Sequence, residues 1–144
     1  MGKKSDRLLL RMIRLDEISA ERIMGWRRIN AKRGYGGDWL DDKTTKIKRA
    51  VYDWEPTTDF ADAMLLLSTF LSTYPGIHFS LQCLAGKRYQ TSIWDGEHAF
   101  WCAEGKHLCM IIVESLIKTQ CHSAEFFGHQ PGAKDGANER GNMS

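Results

Sequence analysis

The sequence predicts an α+β domain, layered as an α/β/α sandwich with about three helices and a small antiparallel sheet of three strands or slightly more. Three observations carry that expectation: a helical apolar stripe after Pro56, three short alternating segments between Ile77 and Ala103, and a closing segment, Lys106 to Gln120, apolar over most of its circumference. With 144 residues, 42% hydrophobic and 26% charged, the chain has the size and composition of one ordinary domain with its own core.

Taken in order, Lys3 to Arg14 sets Leu8, Leu9, Met12 and Ile13 among Arg7, Arg11 and Arg14, which reads as a basic, weakly amphipathic arm, helical or extended. Residues 1–14 are therefore set apart from a domain of residues 15–120. Leu15 to Asn30 reads as a helix: Ile18, Ile23, Trp26 and Ile29 share a broad stripe, acids come early and Arg27 and Arg28 come late, as the helix dipole favours. Gly34, Gly36 and Gly37 make Lys32 to Asp42 a loop. Lys43 to Tyr52 is a basic connector with room for one short strand. Thr57 or Thr58 is placed to cap the next helix, which carries Phe60, Met64, Leu67 and Leu71 at helical spacing and stops before Pro75-Gly76.

The strands follow. Ile77, Phe79, Leu81 and Cys83 alternate with His78, Ser80 and Gln82; Gly86-Lys87 turns into Arg88 to Trp94; and Asp95-Gly96 signals a two-residue hairpin into His98 to Ala103. After the closing helix, residues 121–144 are polar and Gly-rich, and disorder is expected beyond about Gly128.

Function is less legible. The net charge of +2 hides a split: residues 1–50 carry 14 Lys or Arg against 7 Asp or Glu, and residues 51–144 carry 6 against 11. Such asymmetry fits an acidic partner (protein, nucleotide or nucleic acid) for the first third, or two oppositely charged faces of a homodimer. Five tryptophans are many for this length, and Trp39 and Trp54 bracket Lys43, Lys46, Lys48 and Arg49. Together with Arg27, Arg28, Lys32 and Arg33 these form the candidate partner-binding set, the two rings serving as anchors or simply filling the core. No zinc spacing joins His98, Cys102, His107, Cys109, Cys121 and His122, and Gly34-Tyr35-Gly36-Gly37 lacks the Lys-Ser/Thr of a phosphate loop. Neither a catalytic residue, nor a metal, nor a cofactor is assigned, and a small metal-dependent or Cys/His hydrolase is the minority alternative. The four cysteines read as small buried residues. Apolar runs fall short of a membrane span, and Met1 to Leu15 lacks the continuous apolar core of a secretory signal, so a cytoplasmic protein is expected.

Leu15-Asp16-Glu17 followed by Ala20-Glu21-Arg22-Ile23-Met24-Gly25-Trp26 resembles the L-D…A-E-x-V-M-G-W opening of phage ABA-sandwich domain proteins. Pro56-Thr57-Thr58-Asp59 resembles that family's P-x-x-S-T-D entry to an Ala-rich second helix, and the stretch around Leu108-Cys109 its closing A-I-C-x-A-A-L. The likeness spans roughly residues 15–119, and the last helix departs from it by lacking the Ala-Pro lead and the Ala pair. The resemblance implies a layered α/β/α protein of phage or prophage origin, at work in the cytoplasm of the bacterial host. It implies an accessory protein that binds a host or phage component without catalysis. One such role is inhibition of a defence system, as an anti-CRISPR or a sponge for a signalling nucleotide. The alternative is a nucleic-acid-binding phage regulator using the same basic third.

Overall fold

Gly25 decides the first half of the chain. Its φ of +73° is a conformation that L side chains rarely adopt, so a helix entering from Leu15 cannot pass through it. In the computed structural model of the protein, which describes residues 2–33, 36–97 and 99–126, helix α1 runs Gly2–Ile18 and widens into a π-turn at Ser19–Ile23. The residues after Gly25 are strand β1, Trp26–Ile29. The helix expected to reach Asn30 is thus corrected: Trp26 and Ile29 fit a helical stripe by spacing, but they lie beyond the glycine. The segment Lys3 to Arg14, expected as a separate arm, is the first part of α1.

Residues expected to be loop form a sheet. Strands β2 (Asp38–Asp41) and β3 (Lys46–Ala50) join β1 in the antiparallel order β1-β2-β3. Gly37 makes that closure feasible: at φ +91° it passes so near β1 that an added Cβ would lie 2.4 Å from the Ile29 carbonyl oxygen. Gly37→Ala is therefore expected to cost at least about 2 kcal/mol. A lower urea midpoint with an unchanged slope checks this.

After a 3₁₀ turn at Val51–Asp53, helix α2 spans Phe60–Thr73. Its cap is Asp59, whose carboxylate accepts the Asp62 N–H at 3.0 Å. The two threonines expected there are engaged elsewhere, Thr57 on Asp16 and Thr58 on the Glu55 carbonyl.

The expected three-stranded meander is present as β4 (His78–Leu84), β5 (Arg88–Trp94) and β6 (Ala99–Gly105). β5 ends at Trp94 and β6 begins at Ala99, and in the turn after β5 Asp95 Oδ1 accepts the Glu97 N–H at 3.1 Å. Helix α3, Leu108–Phe126, extends past the expected end at Gln120 and covers one face of this sheet. There the Thr91 and Ser115 hydroxyls hydrogen-bond at 2.5 Å, both fully buried. The opposite face carries Gln90 and Ser92 on the Cys102 thiol, Arg88 paired to Glu104 at 2.7 Å, and Trp94 stacked on His78. On its other side α3 packs against α2, and Leu66, Phe70, Ile93, Ile112, Val113 and Leu116 form the centre of the core.

The α+β class expected from the sequence, with about three helices and a three-stranded antiparallel sheet, is what the chain adopts; the second sheet, β1–β3, was not expected. The tail beyond Gly128, Gly34, Tyr35 and His98 lie outside the described residues.

Candidate functional site

Strand pairing sorts the candidate residues. Across the sheet, Arg28 stands opposite Trp39 and Trp39 opposite Arg49, so all three side chains share one face. That face turns inward. Trp39 is 1% exposed and Trp54 2% exposed, and Trp54 meets Trp26 edge-on at a centroid distance of 4.8 Å. The Arg28 guanidinium lies 5.5 Å from the Trp39 ring centre, and that of Arg49 lies 5.3 Å from the Trp54 ring centre. The cation–ring pairs legible in the composition are made within the protein, leaving neither ring face open as a platform for a nucleic-acid base. Both arginines are also held by acids, Arg28 by Glu17 and Arg49 by Asp62.

The other candidates face solvent. Arg27 pairs with Asp42 at 3.0 Å. Lys32, Arg33, Lys43, Lys46 and Lys48 are exposed and make no ion pair with a described residue. Three of them, Lys43, Lys46 and Lys48, sit on edge strand β3 or the turn before it. The turn is fixed by Asp41, which accepts the Lys43 N–H at 2.9 Å. That hydrogen bond is the largest cause holding the Asp41 carboxyl below its ordinary range.

Between α1 and this sheet lies a cavity of about 420 Å³. Leu10 and Ile13 of α1, Trp39 of β2, and Val51, Tyr52 and Trp54 after β3 supply its walls; Asp16, Glu17, Arg28 and Glu55 supply its polar groups. The π-turn sets the back of this region: it places the buried Ser19 hydroxyl 3.1 Å from the Trp54 indole N–H, which donates to it. Trp39 is different. Its indole N–H is buried and has no acceptor among the described residues.

Asp16 is the unusual acid. Its two carboxylate oxygens accept from the Thr57 N–H at 2.9 Å and the Thr57 hydroxyl at 3.1 Å. Burial nevertheless pushes its carboxyl up to about 6 from 3.8, and the nearby Glu55 and Asp62 charges add to the rise. A carboxyl raised on folding binds more protons folded than unfolded between those two values. Stability therefore falls as pH rises from about 4 through 6. Allowing for its partly open side, the effect is about 1–2 kcal/mol. Asp16→Asn keeps an acceptor for the Thr57 N–H and removes the charge. It is expected to raise the melting temperature at pH 7.5 and to leave it unchanged near pH 4. A lower melting temperature at pH 7.5 contradicts this account of the carboxyl.

A feature that the sequence reading passed over is the outward side of α1. Leu9 and Leu10 are 56% and 65% exposed, Leu8 and Ile13 are exposed as well, and Tyr52 beside the cavity is 71% exposed. The available signal was the run Leu8-Leu9-Leu10 inside an otherwise charged segment. Consecutive positions on a helix point in different directions, so three leucines in a row cannot all face one core.

The cysteines also differ from expectation: Cys83, Cys102 and Cys121 are exposed and Cys109 is half-buried. The thiol pKa of Cys109 is raised, chiefly by burial, which disfavours the thiolate a nucleophile needs. Among the described residues no group of three or more His, Cys, Asp and Glu side chains is placed to hold a metal ion. No helix among them is long and apolar enough to cross a membrane. Compared with protein-family models, curated proteins and solved structures, the chain matches none of them.

Proposed function

We propose that this chain is a non-catalytic binding protein which, in the phage setting its sequence resembles, inhibits a bacterial defence component by occupying its surface. The observation that carries the reading is the apolar ridge of α1, with Leu9 and Leu10 more than half exposed among Arg7, Arg11 and Arg14. A cluster of large apolar side chains left in water, edged by charge, has the composition of a protein-binding patch. The exposed Lys32, Arg33, Lys43, Lys46 and Lys48, which make no ion pair with a described residue, contribute long-range attraction for an acidic partner. The same surface is less suited to single-stranded nucleic acid, because Trp39 and Trp54 are buried and carry the Arg28 and Arg49 guanidinium groups on their rings.

Mixing the purified protein with a panel of purified defence complexes, nuclease–guide assemblies included, and following co-migration tests the reading. One member is expected to form a stable complex. Lys43→Glu, Lys46→Glu and Lys48→Glu together are expected to slow its association about tenfold or more at low salt, with little change in dissociation. Absence of association with every member contradicts the reading.

A further inference from the structure

We propose that β4 is a dimerisation edge: two copies of this chain join β4 to β4, antiparallel about a twofold axis at Leu81, into one continuous six-stranded sheet. This goes beyond the docking reading and does not rest on it.

An edge strand offers unpaired N–H and C=O groups to any other strand, and charged residues, prolines and bulges ordinarily blunt it. The two sheets have four edge strands, β1, β3, β4 and β6. β1 carries Arg27 and Arg28. β3 carries Lys46, Lys48 and Arg49, and its pairing shifts register at Trp39/Leu40. β6 carries Glu104, and its pairing shifts register at Ile93/Trp94. β4 has neither device. His78–Leu84 contains no Lys, Arg, Asp, Glu or Pro, and it pairs with β5 without a break over all seven residues. Among the described residues, no backbone group of β4 bonds beyond β5.

Burial leaves the same edge unfinished. Helix α3 lies across β5 and β6, and on that face Thr91 and Ile93 of β5 are 0% exposed. Their β4 partners Leu81 and Phe79 are only half-buried, and Cys83 on the same face is exposed. A twofold axis at Leu81 pairs all seven residues and matches the faces: Leu81 meets its own copy, Phe79 meets Cys83, and Ser80 meets Gln82. With the axis normal to the sheet, both α3 helices lie on one side. Phe79, Leu81 and Cys83 of the two copies then cover one another between them. The strand is complementary to itself, which commits the occupant to a second copy.

The test is sedimentation equilibrium of the full chain under reducing conditions, because Cys83, Cys102 and Cys121 are exposed and open to oxidative cross-linking. A monomer–dimer equilibrium is expected, with half-dissociation at about 1–100 µM, since one shared edge is a small interface. Ser80→Lys with Gln82→Lys sets like charges opposite each other across the axis. It is expected to weaken the dimer at least about tenfold, with the melting temperature of the monomer unchanged. Hydrogen exchange of the parent needs no variant: β4 amides are expected to be better protected at high than at low protein concentration. A monomer up to about 0.5 mM would overturn the proposal. So would a dimer that Ser80→Lys with Gln82→Lys leaves intact, or one without concentration-dependent protection in β4. A dimer lost instead with Leu9→Ser and Leu10→Ser would place the seam on α1 and overturn it as well.

Discussion

Trp54→Ala is expected to lower the unfolding free energy by about 3–5 kcal/mol, the range for deleting a large buried aromatic. Trp54 is 2% exposed and joins three parts of the chain. Its edge meets Trp26 of β1, its face takes Arg49 of β3, and its N–H donates to Ser19 of the π-turn. Alanine empties the space between them, removes the donor to the Ser19 hydroxyl, which keeps its own bond to the Asp16 carbonyl, and leaves Arg49 without its ring. Trp54→Phe separates these contributions: it retains most of the packing and loses the hydrogen bond, for an expected cost of about 1–3 kcal/mol. Urea unfolding followed by circular dichroism checks both. A loss below about 1 kcal/mol for the alanine variant contradicts the placement of this ring in the core.

Arg49→Met is the second large effect. Asp62, with a side chain only 5% exposed, accepts from the Arg49 guanidinium and from the Glu55 N–H. Removing the arginine leaves a buried carboxylate without its counter-charge, at an expected cost of about 3–5 kcal/mol. Adding Asp62→Asn is expected to recover part of that loss, since the asparagine still offers an acceptor to Glu55 without a charge. Measured with Asp62→Asn alone as the second single variant, the full cycle isolates the coupling. A near-neutral Arg49→Met would return this arginine to the exposed, partner-binding role that the sequence suggested for it.

What could be read in the sequence was the part in which a single periodicity dominates. The meander was legible because Phe79, Leu81 and Cys83 alternate with polar neighbours, and α2 because Phe60, Met64, Leu67 and Leu71 repeat at helical spacing. The β1–β3 sheet was hidden by strands of four or five residues, too short to establish a period. Trp26 and Ile29 satisfy the helical stripe of Ile18 and Ile23 as well as they satisfy a strand; only Gly25 separates the two readings. Gly37, which looked like loop, serves a close backbone approach to β1.

The same ambiguity governed the candidate site. A tryptophan near lysines and arginines has one composition whether its face is covered by the protein's own guanidinium, as Trp39 and Trp54 are, or left for a ligand. Only the register that sets Arg28, Trp39 and Arg49 side by side distinguishes them. Asp16 lies in a recognisable motif, but its carboxyl is raised first by burial and then by the Glu55 and Asp62 charges, against the lowering effect of Thr57, and all of these depend on residues far along the chain. The exposed α1 ridge was nearer to legible, since the leucine run exceeds what one helix face can bury.

The most direct test of the binding reading changes that ridge, of which Leu10 also borders the cavity. Leu9→Ser with Leu10→Ser removes apolar surface already in water, so stability is expected to change by no more than about 1 kcal/mol. Affinity for the partner found in the co-migration panel is expected to fall at least tenfold, about 1.4 kcal/mol, through faster dissociation. A variant of unchanged stability and unchanged affinity would show that α1 is not the docking surface.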